Sequence, residues 1–295
     1  MGSVSTEKIK LLRNQTGAGM MDCKKALSET GGDIPLSVNW LRAKGLSRAG
    51  KKSHRETTEG LVGVALGDSR ASIIEMNSET DYVARNDKFQ DLVLRVASVA
   101  LSTDGSVENI ISATCDDLGV SVEEEIRSNI ATIGENIILR RSAILSVDEG
   151  VVVSYVHGAV AECLGKRAVL VALKSSGDKD VLRAIGVKVA MHVAACSPLA
   201  IHSQDIDPAI INNEREIFIE EAQKSSNSSK ELILKIVEGK LQKFLRESSL
   251  LSQKFVMDSD ITVSDFLKKS EESIGAHVDV VGMVYFVLGE GLSNI

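Results

Sequence analysis

Residues 77–86 read Asn-Ser-Glu-Thr-Asp-Tyr-Val-Ala-Arg-Asn, which sets a carboxylate and an aromatic ring side by side at Asp81 and Tyr82. The apolar run Ala71–Met76 before them reads as a strand, and helical patterning resumes near Asn86. The pair therefore sits on a connection, where scaffolds commonly present their binding groups. The ring offers contact area at low entropic cost, and the carboxylate can compete for a cation or for the ligands of one. The plainer alternative is a helix-capping turn with the ring folded onto the core.

Other residues that invite chemistry lead elsewhere. Thr16-Gly17-Ala18-Gly19 has the glycines of a phosphate loop but lacks the Gly-Lys-Ser/Thr ending, and no strand precedes it. A helix–helix turn accounts for it better, presenting Met20 and Met21 as adaptable contacts. None of the five histidines has a neighbour at metal-ligand spacing. His192 lies in an apolar helical run and is expected to be packed. His157, in a loop before Gly158, is the one to watch, and its plainer role is to cap a carbonyl. The acidic runs Asp116-Asp117 and Glu123-Glu124-Glu125 read as solvated helix starts. No serine stands in a nucleophile elbow. The expectation is a binding protein rather than an enzyme, with no catalytic residue, metal or cofactor.

The elements that hold these residues follow from periodicity and punctuation. Residues 5–45 read as three short helices, broken at Thr16–Gly19 and Gly31-Gly32, with Asp33 as a cap, Pro35 in the first turn and Gly45 as the stop. A polar, basic hinge follows over 47–58. Glu59-Gly60 then opens Leu61–Leu66, a turn at Gly67-Asp68, the strand Ala71–Met76 and a helix over 87–101. Ninety positions on, Glu149-Gly150 opens Val151–Val156, a loop from His157, Ala168–Leu173 and a helix over 178–195. Between these units Ser121–Glu124 resembles a capping box, and 137–147 reads as another strand. Residues 205–247 carry one apolar stripe per arm about a polar turn at 225–229, an antiparallel helical hairpin. A short helix over 262–271 and a strand over 278–288, joining the second sheet, complete an α+β chain.

With 43% hydrophobic residues, 295 positions suffice for more than one domain. A net charge of -7 argues against a nucleic-acid or anionic-membrane surface, the basic stretch 42–55 reading as a solvated linker. Cys23, Cys115, Cys163 and Cys196 show no paired spacing, which fits a reducing, cytoplasmic compartment. No apolar run reaches the length of a membrane span, and no secretory signal opens the chain.

Several stretches resemble one family. Leu12-Arg13 and Thr16-Gly17-Ala18-Gly19-Met20-Met21-Asp22-Cys23-Lys24-Lys25-Ala26-Leu27 are similar to the opening of bacterial and organellar elongation factor Ts. So are Leu41–Gly45, Thr80–Arg85, Ile133-Gly134-Glu135-Asn136 and Phe286–Leu292. The resemblance runs in order over nearly the whole chain. It implies a guanine-nucleotide exchange factor for elongation factor Tu, with a ubiquitin-associated-like helical domain at 1–54. It also implies core subdomains at 55–147 and at 148–204 with 248–295, and a coiled-coil insertion at 205–247. Thr80, Asp81, Tyr82 and Val83 would be the segment that dislodges the partner's magnesium ion, with Tyr82 standing where Phe is usual. Arg13, Met20, Met21, Lys24, Ile133, Gly134, Glu135, Asn136 and His157 would contact the partner. The runner-up is a scaffold or homodimer built on the helical hairpin.

Overall fold

In the computed structural model, which describes residues 4–50, 52–225 and 230–292, three helices come first: α1 (Thr6–Thr16), α2 (Met20–Glu29) and α3 (Ile34–Gly50). The Ser5 hydroxyl caps α1 by accepting from the Lys8 N–H, and the Asp33 carboxylate accepts from the Leu36 N–H at the start of α3. Leu12, Cys23, Ala26 and Leu27 are sealed between the three. Gly45 does not stop α3, which runs on to Gly50. The glycine serves packing instead: a Cβ there would lie 2.8 Å from the Ala131 Cβ on a later helix. Close approach has overridden the residue's poor helix propensity.

The chain then builds β1 (Glu59–Leu66), β2 (Arg70–Ser78), α4 (Asp81–Ala84), α5 (Asp87–Ala100), α6 (Val107–Ser112), β3 (Thr114–Cys115), β4 (Val120–Ser121), α7 (Val122–Ile133) and β5 (Ile137–Ser146). The second unit comprises β6 (Gly150–His157), β7 (Leu164–Gly165), β8 (Arg167–Lys174) and α8 (Lys179–Cys196). After the hairpin helices α9 (Pro208–Ser225) and α10 (Lys230–Ser248) come β9 (Lys254–Phe255), β10 (Asp258–Thr262), α11 (Val263–Ile274) and β11 (Asp279–Val287). The capping box predicted at Ser121 is present, with reciprocal bonds between Ser121 and Glu124.

Two main antiparallel sheets result, in the orders β5-β2-β1-β7 and β11-β8-β6, beside the two-stranded pairs β3-β4 and β9-β10. Alternation decides what each face meets. From β2, Ile74 and Met76 pack with Leu92, Val93 and Val96 of α5, while Ala71 and Ile73 face the other sheet. From β8, Val169, Val171 and Leu173 pack with α8, while Ala168, Leu170 and Ala172 face the first sheet. The layers are helices, sheet, sheet, helices. The last strand joins the second sheet, as expected.

One connection differs from the reading as a loop. Between β6 and β8 the chain crosses to the first sheet, where Leu164 and Gly165 pair with Gly63 and Val62 of β1. Gly63 makes room, since a Cβ there would meet Val93 at 2.6 Å and Leu164 at 3.2 Å. In the hairpin, α9 and α10 lie against each other with Ala222, Val237 and Leu241 buried, and Arg215–Glu238 and Lys240–Glu221 ion pairs link the arms. Of the expected turn, residues 226–229 lie outside the described residues.

His192 is packed, as its apolar run predicts, and joins α8 to the returning chain. Its Nε2 meets Gln253 Oε1 at 2.8 Å, and its Nδ1 accepts from the Val256 N–H at 3.1 Å. One nitrogen donating and one accepting describe a neutral ring. Burial holds its pKa below the ordinary value, against the Gln253 hydrogen bond, which pulls the other way. The folded state thus binds the proton less well than the unfolded chain. Stability from this residue is complete above about pH 6.5 and is lost as pH falls toward the folded pKa. Thermal melts from pH 7.5 to 5.5 should lose stability with a slope of up to about 1.4 kcal/mol per pH unit from this group. His192→Gln should flatten that slope. Exposed His277, raised by its Glu271 hydrogen bond and by Asp279, contributes with the opposite sign in both proteins and cancels in the comparison.

Candidate functional site

β2 delivers the chain to the tip. Ser78 is its last residue, Glu79 and Thr80 follow, and α4 is a single turn. The turn closes because the Arg85 and Asn86 N–H groups return to the Tyr82 and Val83 carbonyls. Asn86 then caps α5 by accepting from the Lys88 N–H. Val83 and Ala84 enter the core with Phe89 and Leu92, whereas Asp81 is exposed and Tyr82 is 79% exposed. The ring is not folded inward. Val83 anchors the turn and Tyr82 is what the turn presents.

The base of the tip is tied down by the segment after α7. Glu135 receives the Thr80 N–H at 2.9 Å on one carboxylate oxygen and the Thr80 hydroxyl at 2.6 Å on the other. Thr80 holds the position of an N-cap, yet its hydroxyl goes to Glu135 rather than to the turn. Glu79 accepts from the Asn136 N–H at 2.7 Å and pairs with Arg55 at 3.2 Å. The Asn136 side chain, nearly fully buried, donates to the Arg55 carbonyl. Gly134 ends α7 at φ 93°, in the left-handed region that a side chain would strain. Ile133 packs on the first core. So 133–136 and 79–82 form one assembly, in which Glu135 and Asn136 spend their hydrogen-bonding groups within the chain.

The other expected contact residues lie on separate surfaces. Arg13 and Lys24 are exposed on α1 and α2, as are Met20 and Met21, the latter at 76%. Leu11 and Leu36 add exposed apolar area to the same three-helix unit. A cleft of about 270 Å³ lies along the seam where this unit packs on α7, bordered by Thr16, Leu41, Gly45, Ala131 and the paired Arg42 and Glu124. His157 closes β6 opposite Arg167 instead of standing in a loop. Its Nδ1 lies 3.3 Å from the Tyr155 hydroxyl, and the ring is exposed.

Sequence reasoning passed over one cluster. Glu75 is fully buried on β2, and its carboxylate takes Arg140 Nη1 at 2.8 Å, Arg141 Nε at 2.6 Å, the Gly289 N–H at 2.9 Å and Asn77 Nδ2 at 3.2 Å. Burial pushes its pKa up, but the Gly289 N–H and the two guanidinium groups outweigh this and leave it below the usual carboxylate value. A charged residue inside Ile73-Ile74-Glu75-Met76 was the signal, with Arg140-Arg141 in a later strand as its counterpart.

Among the described residues no group of three or more His, Cys, Asp or Glu side chains is arranged to hold a metal ion, and no helix is long and apolar enough to cross a membrane. Cys23, Cys115, Cys163 and Cys196 are unbridged. The arrangement offers an outward aromatic–carboxylate tip, tied at its base to Glu135, and separate exposed faces.

Comparison with known proteins places these features in a family. A sequence profile described as Elongation factor TS matches residues 79–290. Elongation factor Ts of Sinorhizobium medicae (strain WSM419) is 54% identical over 292 residues, which is 99% of this chain and 95% of the relative. Elongation factor Ts of Rhizobium etli (strain CIAT 652) is 52% identical over 294 residues, 100% of this chain and 95% of the relative.

Proposed function

The chain belongs to the elongation factor Ts family, and so to the elongation factors of protein biosynthesis, and on that premise we propose that it binds elongation factor Tu carrying GDP and drives GDP off. The tip of α4 disturbs the partner's magnesium and phosphate site, and GTP rebinds afterwards. The observation that carries this reading is Tyr82, presented to solvent beside Asp81 on a turn whose base is fixed by Glu135. A ring free to be inserted and unable to swing away is what a wedge requires. The exposed methionines of α2, with Arg13, Lys24 and His157, supply attachment.

The division of labour follows the expected subdomains: a ubiquitin-associated-like unit at 1–54 for attachment, the core at 55–147 for the tip, the second core half for a further hold, and the hairpin at 205–247 apart from both. No covalent step is involved, the working compartment is the cytoplasm, and neither nucleic acid nor membrane takes part. Release of a fluorescent GDP from elongation factor Tu, with and without this chain, tests the reading. Acceleration is the expected result, and an unchanged release rate defeats it.

A homodimer through the hairpin is the second reading, favoured by Ile217, Leu232 and Leu234, which stay exposed on α9 and α10. Sedimentation would then give twice the chain mass, and charged residues at those three positions would halve it without altering GDP release.

A further inference from the structure

Resting on the reading of the α4 tip given above, we infer that Glu75 is a positioning residue for exchange: it fixes the end of β2 from which Asp81 and Tyr82 project. Glu75 and Asn77 lie on the same face of β2, and their side chains are bonded to each other. Asn77 Nδ2 also reaches the Glu59 carbonyl on β1 at 3.3 Å. The last residues before the tip are thereby held from the side as well as through the sheet ladder.

The opposite end of the cluster comes from the far end of the chain. Arg141, whose Nε holds Glu75, donates through Nη2 to the Val287 carbonyl at 2.8 Å and to Glu290 at 3.2 Å, and its guanidinium stacks on Phe286 at 4.2 Å. Arg140 reaches the Glu290 carbonyl. The segment following β11, an element of the second sheet, is thus fastened to β2 of the first. A β-bulge makes this possible: the register of β5 shifts between the partners of Glu75 and Met76, so Arg140 is the extra residue. Bulges re-aim side chains, and this one brings two consecutive arginines to one carboxylate.

Stability alone is a poor reason for such a cluster. A buried ion pair replaced by well-packed apolar groups commonly leaves a fold equally stable or more so. Here the cluster also leaves Asn77 Oδ1 buried without a hydrogen-bond partner, an added cost. What directional bonds provide and apolar packing does not is a fixed angle for the strand end. Exchange needs that angle, because a tip that yields on contact transfers none of the attachment energy to the partner's site.

The test uses full-length Glu75→Gln and Arg141→Gln, assayed for GDP release from elongation factor Tu across a range of exchange-factor concentrations. Glu75→Gln keeps the volume but removes the charge that two arginines and an N–H address. Arg141, 28% exposed, can be replaced without opening the core, which keeps the test decisive should Glu75→Gln fail to fold. The expected result is a saturated release rate about tenfold lower, with the half-saturating concentration changed less than about twofold. Arg141→Lys should recover part of the loss. A merely structural role would lower the melting temperature and leave the saturated rate alone. Folded variants that reach the wild-type saturated rate, while Asp81→Ala/Tyr82→Ala is slow, overturn this inference only. Should that double variant also be fast, the tip reading itself has failed.

Discussion

Replacing Asp81 and Tyr82 together by alanine should slow GDP release at saturating exchange factor by about a hundredfold, equivalent to about 2.7 kcal/mol of barrier. A partner holding GDP at about nanomolar strength, with an on-rate of roughly 10⁶ M⁻¹s⁻¹, releases it unaided in about 10³ s. Release within about a tenth of a second requires about 10⁴-fold acceleration, or roughly 5.5 kcal/mol. Loss of the magnesium ion leaves phosphate charge unneutralised and can supply much of that. The tip is the part of this molecule shaped to cause it. Both side chains are exposed, so their removal costs the fold little and much of the complex should persist. Wild-type release from the double variant would remove the wedge assignment. Linkage adds a check, since nucleotide must weaken the exchange factor by the same ratio that the exchange factor weakens nucleotide.

Deleting residues 1–50 should weaken association by about a hundredfold, about 2.7 kcal/mol, while the remainder stays folded. The sheets and their helices draw their buried apolar clusters from Leu61 onward, so the deletion takes nothing from them. Lost instead are the Arg42–Glu124 pair, the seat of Gly45 on Ala131, and the exposed surface of Leu11, Met20 and Met21. Circular dichroism reports the fold and titration against nucleotide-free partner reports the affinity. An undiminished affinity would show that the hold lies elsewhere.

Local rules made most of this legible. Apolar runs bounded by turn residues marked the strands, and the run from Ala71 through Asn86 placed an acid and a ring on a connection because strand patterning stops before helix patterning starts. What holds the connection was not legible. Glu135 meets Thr80 across 55 positions, and no periodicity links them. The Glu75 cluster left a trace, a carboxylate in an apolar strand, but the bulge that turns Arg140 and Arg141 toward it is a matter of register. Gly45 misled because its backbone cost is local while its reason, the nearness of α7, is tertiary. His157 was placed one residue too far into a loop because hydrophobic patterning stops at Val156, whereas its pairing with Arg167 does not.

The crossing of Leu164 and Gly165 onto β1 means that the first half does not own its whole sheet. A fragment ending before residue 158 would leave a bare strand edge, and one starting there would carry an orphan. The halves are therefore expected to melt in a single transition, and a calorimetric enthalpy equal to the van't Hoff value would show it. If this architecture arose by duplication, the copies have since become inseparable, and the seam between them has become a joint.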